Sequence, residues 1–552
     1  MTAAASAPEV PGGMGRASAI LAAGTIVSRV LGFARGVILA LAIGQVASAS
    51  ANAFGVANQL PNNVYALVAG GLLSAVLVPQ IVKAAAHADG GENYINRVVT
   101  LGIVIFAVVT IAATLAAPAL IALYTYPVAS GDRGFSSATI QLAVAFAYWC
   151  LPQIFFYALY SLLSEVLNAR RIFGPFTWAP VFNNLVSVGG ILLFMALFGG
   201  AESNRNVDGW SAGRIALLGG TATAGVAAQA LILLLFWRRA GLSFRPDFRW
   251  RGVGLGATGK AAGWLFGMVL VTQIAGVVQT QVSTLASTTG VATLQNSWLI
   301  FMLPFSVVSV SITTAYFTRM SAHAARGELT EVRADLSASL RSIGVLIVFA
   351  AVALSVVAFP FARVYEARFA NVQAMSGVIL AFLPGLILYS VLFVIQRVFY
   401  SLGDTRTPFL IQCLQSILFI VGALLTATLP TDQIGTGIAV VTTIAGTVQA
   451  IVSIVVVRRR LGGVDGRLVL VRHLQYLGCA LLSGSAGLFV VALLGGFSPS
   501  GFAQSGIPGA LVSIVVAGGV MAALYFSLLA LFRNPELAAV TGAVTARFSR
   551  SR

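Results

Sequence analysis

Between Arg341 and Arg363 the chain reads SIGVLIVFAAVALSVVAFPFA, residues 342–362, without one formal charge. A helix rises about 1.5 Å per residue, so a run of this length crosses the roughly 30 Å hydrocarbon core of a bilayer. Comparable runs fill the rest of the chain. They begin near Ala17, Phe54, Val98, Thr139, Pro175, Ile215, Ala261, Val291, Ser342, Ser376, Pro408, Ile434, Leu474 and Ile507. This pattern predicts an all-α polytopic membrane protein with about fourteen transmembrane helices. Composition agrees, because 58% of the 552 residues are apolar and 9% are charged. A water-soluble domain so composed would expose large apolar patches, so lipid is the solvent.

The formal charge of +17 comes from 31 Arg and 2 Lys against 16 acids. In a soluble protein such a balance would suggest nucleic acid. Here the arginines cluster between hydrophobic runs, at Arg170-Arg171, Arg238-Arg239, Arg245 to Arg251, Arg319 to Arg341 and Arg458 to Arg460. Cytoplasmic loops carry such clusters under the positive-inside rule, and no nucleic-acid partner is expected. The alternate loops hold few cations, chiefly Arg133, Arg205, Arg214, Arg363 and Arg368. An even number of spans then places both termini in the cytoplasm, in a bacterial cytoplasmic membrane. Residues 1–15 read as a disordered cytoplasmic tail and 534–552 as a basic one. Ala47-Ser48-Ala49 resembles a signal-peptidase site, but Arg29 and Arg35 interrupt the preceding run, which is therefore kept as a mature first helix.

Proline-containing segments recur at a long period. Leu151-Pro152 opens a segment with Tyr157 five residues after its proline; Leu383-Pro384 opens another with Tyr389 at the same offset. Each runs on to a Pro-Phe pair, Pro175-Phe176 and Pro408-Phe409, and Leu60-Pro61 is echoed by Leu303-Pro304. The offsets agree within about ten residues and predict two pseudo-symmetric six-helix lobes, 16–240 and 255–460, followed by helices thirteen and fourteen at 471–533. Two such halves would face each other across a central cavity. Glu165 and Arg397 fall thirteen residues after equivalent prolines, and form a possible gate if they pair across the halves. Snorkelling to water is the alternative.

Arg29 and Arg35 interrupt the first apolar run, where a cation near mid-bilayer costs at least roughly 2.5 kcal/mol and normally faces a cavity or a partner. An anionic substrate would justify both. Six residues separate them by about 240° around a helix, so a straight helix would not aim both inward, although Gly32 and Gly36 could permit a bend. Asn52, Asn58, Gln59, Asn62 and Asn63 make the second helix polar, and such amides pair between helices or bind a sugar or phosphate. Gln273, Gln279, Gln281, Gln412 and Gln415 offer the same two uses. Cys150, Cys413 and Cys479 show no metal or disulfide spacing, His87, His323 and His473 receive no role, and no metal or cofactor is expected. No GxxxxGK[ST] motif occurs, so the expectation is a transporter without its own ATPase rather than an enzyme.

Ser28-Arg29-Val30-Leu31-Gly32-Phe33-Ala34-Arg35 closely resembles the first-helix signature of the MurJ/MviN family of lipid II flippases, within the multidrug, oligosaccharide-lipid and polysaccharide exporter superfamily. Similar matches occur at Ala57 to Asn62, at Val78-Pro79, at Leu167 to Arg170 with Phe173 to Phe176, and at Phe399 to Pro408. The resemblance implies flipping of lipid-linked peptidoglycan precursor to the outer leaflet by alternating access. It also implies arginines that grip the pyrophosphate, and a groove from helices thirteen and fourteen for the undecaprenyl tail. The substrate-binding candidates are Arg29, Arg35, Ser28, Asn52, Gln59, Asn62 and Tyr65; Glu165 and Arg397 are the gate candidates. Asn52, Tyr65 and Leu299 stand where many members carry charged residues, and no acidic sodium ligand matches in helices seven and eleven. Implied partners are lipid II, membrane lipids and cell-wall synthesis or division proteins. The competing readings are a flippase for another polyprenyl-linked glycan, a cation-coupled small-molecule exporter with Glu165 as its one candidate carboxylate, and a non-transporting scaffold.

Overall fold

The computed structural model describes residues 12–72, 91–126, 134–170, 172–249 and 259–538. Val78-Pro79, His87, Arg133, Arg171, Arg251 and most of both expected tails lie outside the described residues.

Apolar runs this long have one economical solution in lipid, the helix, which satisfies its backbone hydrogen bonds internally. The chain is accordingly an all-α polytopic membrane protein, and among the described residues thirteen helices are long and apolar enough to cross a bilayer. In chain order the path-forming helices are α1 (Gly12–Ile43), α2 (Ala49–Leu72), α3 (Glu92–Leu115), α4 (Ser137–Ala169), α5 (Phe173–Phe198), α6 (Ala212–Phe236) and α7 (Gly259–Ser283). There follow α8 (Val291–Ala325), α9 (Leu329–Val356), α10 (Phe369–Ser401), α11 (Arg406–Thr426), α12 (Ile434–Arg460), α13 (Gly466–Leu493) and α14 (Ile507–Leu531). The difference from the expected fourteen is α2. It forms a helix of 24 residues with Pro61 inside it, but its amides keep it from being apolar enough to count on hydropathy alone.

The repeat seen in the prolines recurs as element lengths. Helix α4 is a 14-residue and a 17-residue segment joined at Leu151-Pro152, and α10 is a 14-residue and a 17-residue segment joined at Leu383-Pro384. Proline supplies no N–H to the preceding turn, which is why both helices break there. Each is preceded by a long helix and then a short one, Ala117–Thr125 in one half and Ala358–Tyr365 in the other. In α8, Pro304 is followed at once by a π-helical turn over Phe305–Ser309.

Contacts sort the loops into two faces. On the cation-poor face the Val46 N–H donates to Glu366 Oε1 at 2.6 Å, the Ala47 N–H to the Thr288 carbonyl at 2.8 Å, and Arg363 Nε to the Gln504 carbonyl at 2.7 Å. Arg205 joins them, donating to the Val46 carbonyl at 2.8 Å and lying 3.5 Å from Glu366. On the cation-rich face Arg97 pairs with Asp247 at 3.0 Å, Arg460 with Asp404 at 3.2 Å, and Arg333 with Asp465. Alternate loops therefore fall on alternate faces, as successive membrane crossings require.

Two apolar clusters make the core. One is drawn mainly from α2 to α6, with Phe106, Phe146 and Phe194 fully buried; the other mainly from α7 to α12, with Phe399. Helix α1 serves both, giving Ala42 and Ile43 to the first and Val37 and Ala40 to the second. Helices α13 and α14 pack against α9 through Tyr476, Cys479 and Tyr525, whose hydroxyl donates to the Val345 carbonyl at 2.7 Å.

Candidate functional site

Helix α1 runs unbroken through Arg29 and Arg35, yet both line one cavity of about 560 Å³ between α1, α4 and α5. Gly32 explains how. At about 100° per residue it lies midway between the two arginines, roughly 60° from each, so a straight helix presents the glycine to the cavity with an arginine on either flank. The long side chains then close the remaining angle, and the expected bend is unnecessary. Gly36 does other work: a Cβ there would stand 3.3 Å from Asn296 Oδ1 and 3.6 Å from the Tyr365 hydroxyl, so its smallness admits close packing.

The opposite wall comes from α5 and α4, with Tyr160, Phe176, Pro180, Asn183 and Asn184. Asn184 Nδ2 donates to the Ser28 carbonyl at 3.0 Å, fixing α5 against α1, and Asn183 Nδ2 donates to Gln229 Oε1 at 2.8 Å. Tyr160 donates its hydroxyl to the Phe176 carbonyl at 2.8 Å. Among the described residues neither Arg29 nor Arg35 is ion-paired with a carboxylate. Two guanidinium groups at membrane depth with no countercharge favour an anion, and the planar guanidinium fork suits phosphate oxygens in particular. Arg35 also reaches a second, smaller cavity of about 70 Å³, which it shares with Asn58, Gln153 and Tyr157.

The other sequence candidates are placed differently. Ser28 lies on the arginine cavity. Asn52 is 7% exposed and accepts the Ala292 N–H at 3.0 Å, capping the start of α8 near the cation-poor face. Gln59 accepts from Gln295 Nε2 at 2.6 Å and lines a cavity of about 230 Å³ between α2, α7 and α8. Asn62 is exposed, while Tyr65 packs its ring 6.0 Å from Tyr157 and 6.2 Å from Phe106. Leu299, where an arginine was expected, lines the arginine cavity as an apolar wall.

Glu165 and Arg397 form no ion pair with each other in this conformation. Arg397 lies instead over three rings, 4.7 Å from the Phe393 centroid, 5.7 Å from Phe317 and 5.8 Å from Tyr400. Cation–π attraction accounts for that arrangement. Gln281 is likewise an interhelical contact, donating to the Leu123 carbonyl at 2.8 Å.

Asn183, Asn184, Gln153 and Tyr160 were not singled out from sequence. The signal was present, since an Asn-Asn pair inside an apolar run has to be met by a partner or a cavity, but only tertiary contact tells which. Two further cavities accompany these. One of about 390 Å³ has an almost wholly apolar wall from α9, α10, α12 and α13, including Leu340, Ile387, Ile454 and Leu474. His473 lies on it, with Nδ1 bonded to the Val469 carbonyl at 2.9 Å, so this histidine is not solvated as a loop residue would be. The other, of about 360 Å³, is lined by glutamines of α7, α10, α11 and α12.

Comparison with known proteins places this geometry. The chain is 28% identical over 405 residues to "Probable lipid II flippase MurJ" of Haemophilus influenzae, covering 70% of this chain and 75% of that one. It is 26% identical over 454 residues to a protein of the same name from Rhizobium meliloti, covering 77% of each. In fold it is similar to a structure of lipid II flippase MurJ in an inward closed conformation, with TM-score 0.68 at 18% identity over 92% of this chain and 99% of that one. An inward-facing multidrug transporter of the MATE family in the MOP superfamily shares the fold at TM-score 0.61 and 15% identity, over 81% of this chain and 99% of that one. The family described as "Lipid II flippase MurJ" matches residues 39–504, and the chain belongs to that family.

Proposed function

We propose that this protein is a flippase that carries lipid II, the lipid-linked peptidoglycan precursor, from the cytoplasmic to the outer leaflet by alternating access. The observation that carries the reading is the pair Arg29 and Arg35 on one cavity wall, ion-paired with no carboxylate among the described residues, inside a membrane protein of the lipid II flippase family. A pyrophosphate would supply the missing countercharge. Membership of a transporter family supports transport rather than catalysis, with energy drawn from a gradient or the membrane potential and no ATPase of its own.

In this reading residues 16–240 and 255–460 move as the two lobes, and the cation-rich face, with both termini, is cytoplasmic. A path for the undecaprenyl tail is supported by the apolar cavity of about 390 Å³ on α13, which is walled by α9, α10 and α12 rather than by α14 as the resemblance implied. The bonds joining Val46, Ala47, Arg205, Thr288 and Glu366 support an outer face closed in this state. Lipid II is the proposed substrate, and cell-wall synthesis or division proteins the proposed neighbours.

The test is depletion of the protein in its own cells, scoring whether lipid II stays on the cytoplasmic leaflet, protected from an externally added lipid II-cleaving toxin. Protection reversed by the intact protein but not by an Arg29→Ala, Arg35→Ala double variant of equal abundance is the expected result. Unchanged access to the toxin, in cells without another flippase, would overturn the proposal.

A further inference from the structure

The two halves carry the same scaffold with different chemistry. On α1 the arginine site is spaced Arg29-Gly32-Arg35, and on α7 the same spacing recurs 244 residues later as Gln273-Gly276-Gln279. That offset matches the 243 residues between Pro61 of α2 and Pro304 of α8. The correspondence continues on the facing helices: Tyr160 on α4 and Pro180 on α5, which line the arginine cavity, answer to Leu392 on α10 and Gln412 on α11, which line a second chamber, each 232 residues apart. Of the three residues on α7, Gln273 lines that chamber, with Thr272 answering to Ser28 beside it, whereas Gly276 and Gln279 line the neighbouring cavity of about 230 Å³.

What fills the second site is neutral. Its chamber of about 360 Å³ is lined by Gln273, Gln396, Gln412 and Gln449, with Tyr389 and Phe393, and by no Arg, Lys, Asp or Glu. Part of the amide set is internally satisfied: Gln449 Nε2 donates to Gln412 Oε1 at 2.9 Å, and Gln412 Nε2 to Gln415 Oε1 at 2.8 Å. Gln273 and Gln396 make no hydrogen bond to other described residues, so their donors and acceptors stay available to whatever occupies the chamber. At membrane depth such groups demand a polar occupant. An amide presents donor and acceptor together, which matches hydroxyl, acetamido and peptide groups. A charged group would lose hydration there and find no opposite charge. Tyr389 and Phe393 add flat apolar surface of the kind a sugar ring can lie against. The volume is in the range of small-ligand sites, roughly 300–1,000 Å³.

We propose that this chamber is a subsite for the uncharged, hydroxyl- and amide-rich glycan part of the transported headgroup, while its pseudo-symmetric counterpart beside Arg29 and Arg35 takes the diphosphate. The assignment rests on the flippase reading above. It makes the transporter a two-part reader, one half for charge and one half for sugar, with specificity against other lipid diphosphates residing in α7, α10, α11 and α12.

The experiment compares binding of lipid II and of undecaprenyl diphosphate, which has the same tail and diphosphate but no glycan, to the full chain in nanodiscs. Gln273→Leu with Gln396→Leu keeps volume while deleting the open amides, and should weaken lipid II about tenfold or more while leaving undecaprenyl diphosphate unchanged. Arg29→Ala should weaken both ligands. Gln273→Ala with Gln396→Ala, checked for the wild-type elution profile, repeats the measurement if the leucine pair does not fold. Equal weakening of both ligands, or unchanged lipid II affinity in a folded variant, overturns the glycan subsite and leaves the flippase reading standing. Wild-type protein that binds neither ligand overturns the flippase reading itself.

Discussion

At the scale of single residues, the molecule depends on side chains whose partners come from distant sequence. Arg35 has the geometry to contact an anion in the cavity, and Arg35→Lys keeps the charge but loses the planar fork. Lipid II binding should fall by about tenfold for Arg35→Lys and more for Arg35→Ala, as titrated in nanodiscs. Glu366 is 3% exposed and serves three groups from three segments: the Val46 N–H, Arg205, and Asn371 Nδ2 at 3.0 Å. Removing it leaves buried donors unmet, which costs about 2 kcal/mol or more. Glu366→Ala should therefore lower the melting temperature in detergent, with Glu366→Gln between it and wild type; an unchanged melt would show that the clasp contributes nothing to stability. Asn52 teaches the same lesson from the other side. Its amide type suggested a ligand contact, and its tertiary position made it the cap of another helix.

At the scale of elements, the turn between α10 and α11 shows how a short motif becomes a joint. Asp404 accepts the Thr407 N–H at 2.9 Å and its hydroxyl at 2.7 Å, and Arg460 from the end of α12 lies 3.2 Å away. Burial alone would raise the Asp404 carboxyl, but the bonds from Thr407 and the charge of Arg460 outweigh it and hold the group below the ordinary aspartate value. A carboxylate lowered in the folded state contributes stability that is fully present above its unfolded pKa and is lost as pH falls through the folded one. Acidification below about pH 4, the unfolded aspartate range, should thus destabilise wild type more than Asp404→Asn, measured as the melting temperature against pH. At neutral pH Asp404→Ala should cost about 1 kcal/mol, the usual loss of a helix-start acceptor. The paired breaks at Pro152 and Pro384 belong to this scale too: the proline offsets predict the duplication, and the structure adds that both helices break at those prolines into segments of 14 and 17 residues.

At the scale of the whole molecule, alternating access requires that the bonds on the cation-poor face open in every cycle. The Ala47 N–H and the Thr288 carbonyl are 2.8 Å apart, bringing the α1–α2 and α7–α8 loops into direct contact. A disulfide between Ala47→Cys and Thr288→Cys should abolish lipid II delivery to the outer leaflet, and a reductant should restore it, with each single variant active throughout. Full delivery by the cross-linked protein would instead favour a scaffold whose lobes need not separate there. Helices α1 and α8 both give buried residues to the two apolar clusters, so these elements join the half that holds the arginine cavity to the other half.

Sequence by itself determined the solvent and the class, because both depend on local quantities: the length of uncharged runs, the placement of arginines between them, and prolines that no helix interior tolerates freely. It also marked Arg29 and Arg35, since a cation within an apolar run needs a reason wherever it is found. Tertiary structure alone decided which polar groups face a cavity and which are spent on other helices. Asn52, Gln59 and Gln281 are the same kind of side chain as Gln273 and Gln396, yet the first three are bonded across helices while the last two line a chamber and bond to no other described residue. An amide's use is fixed by what stands opposite it, and in this bundle the opposite residue lies as far as 251 positions away, as for Asn296 and Gln45.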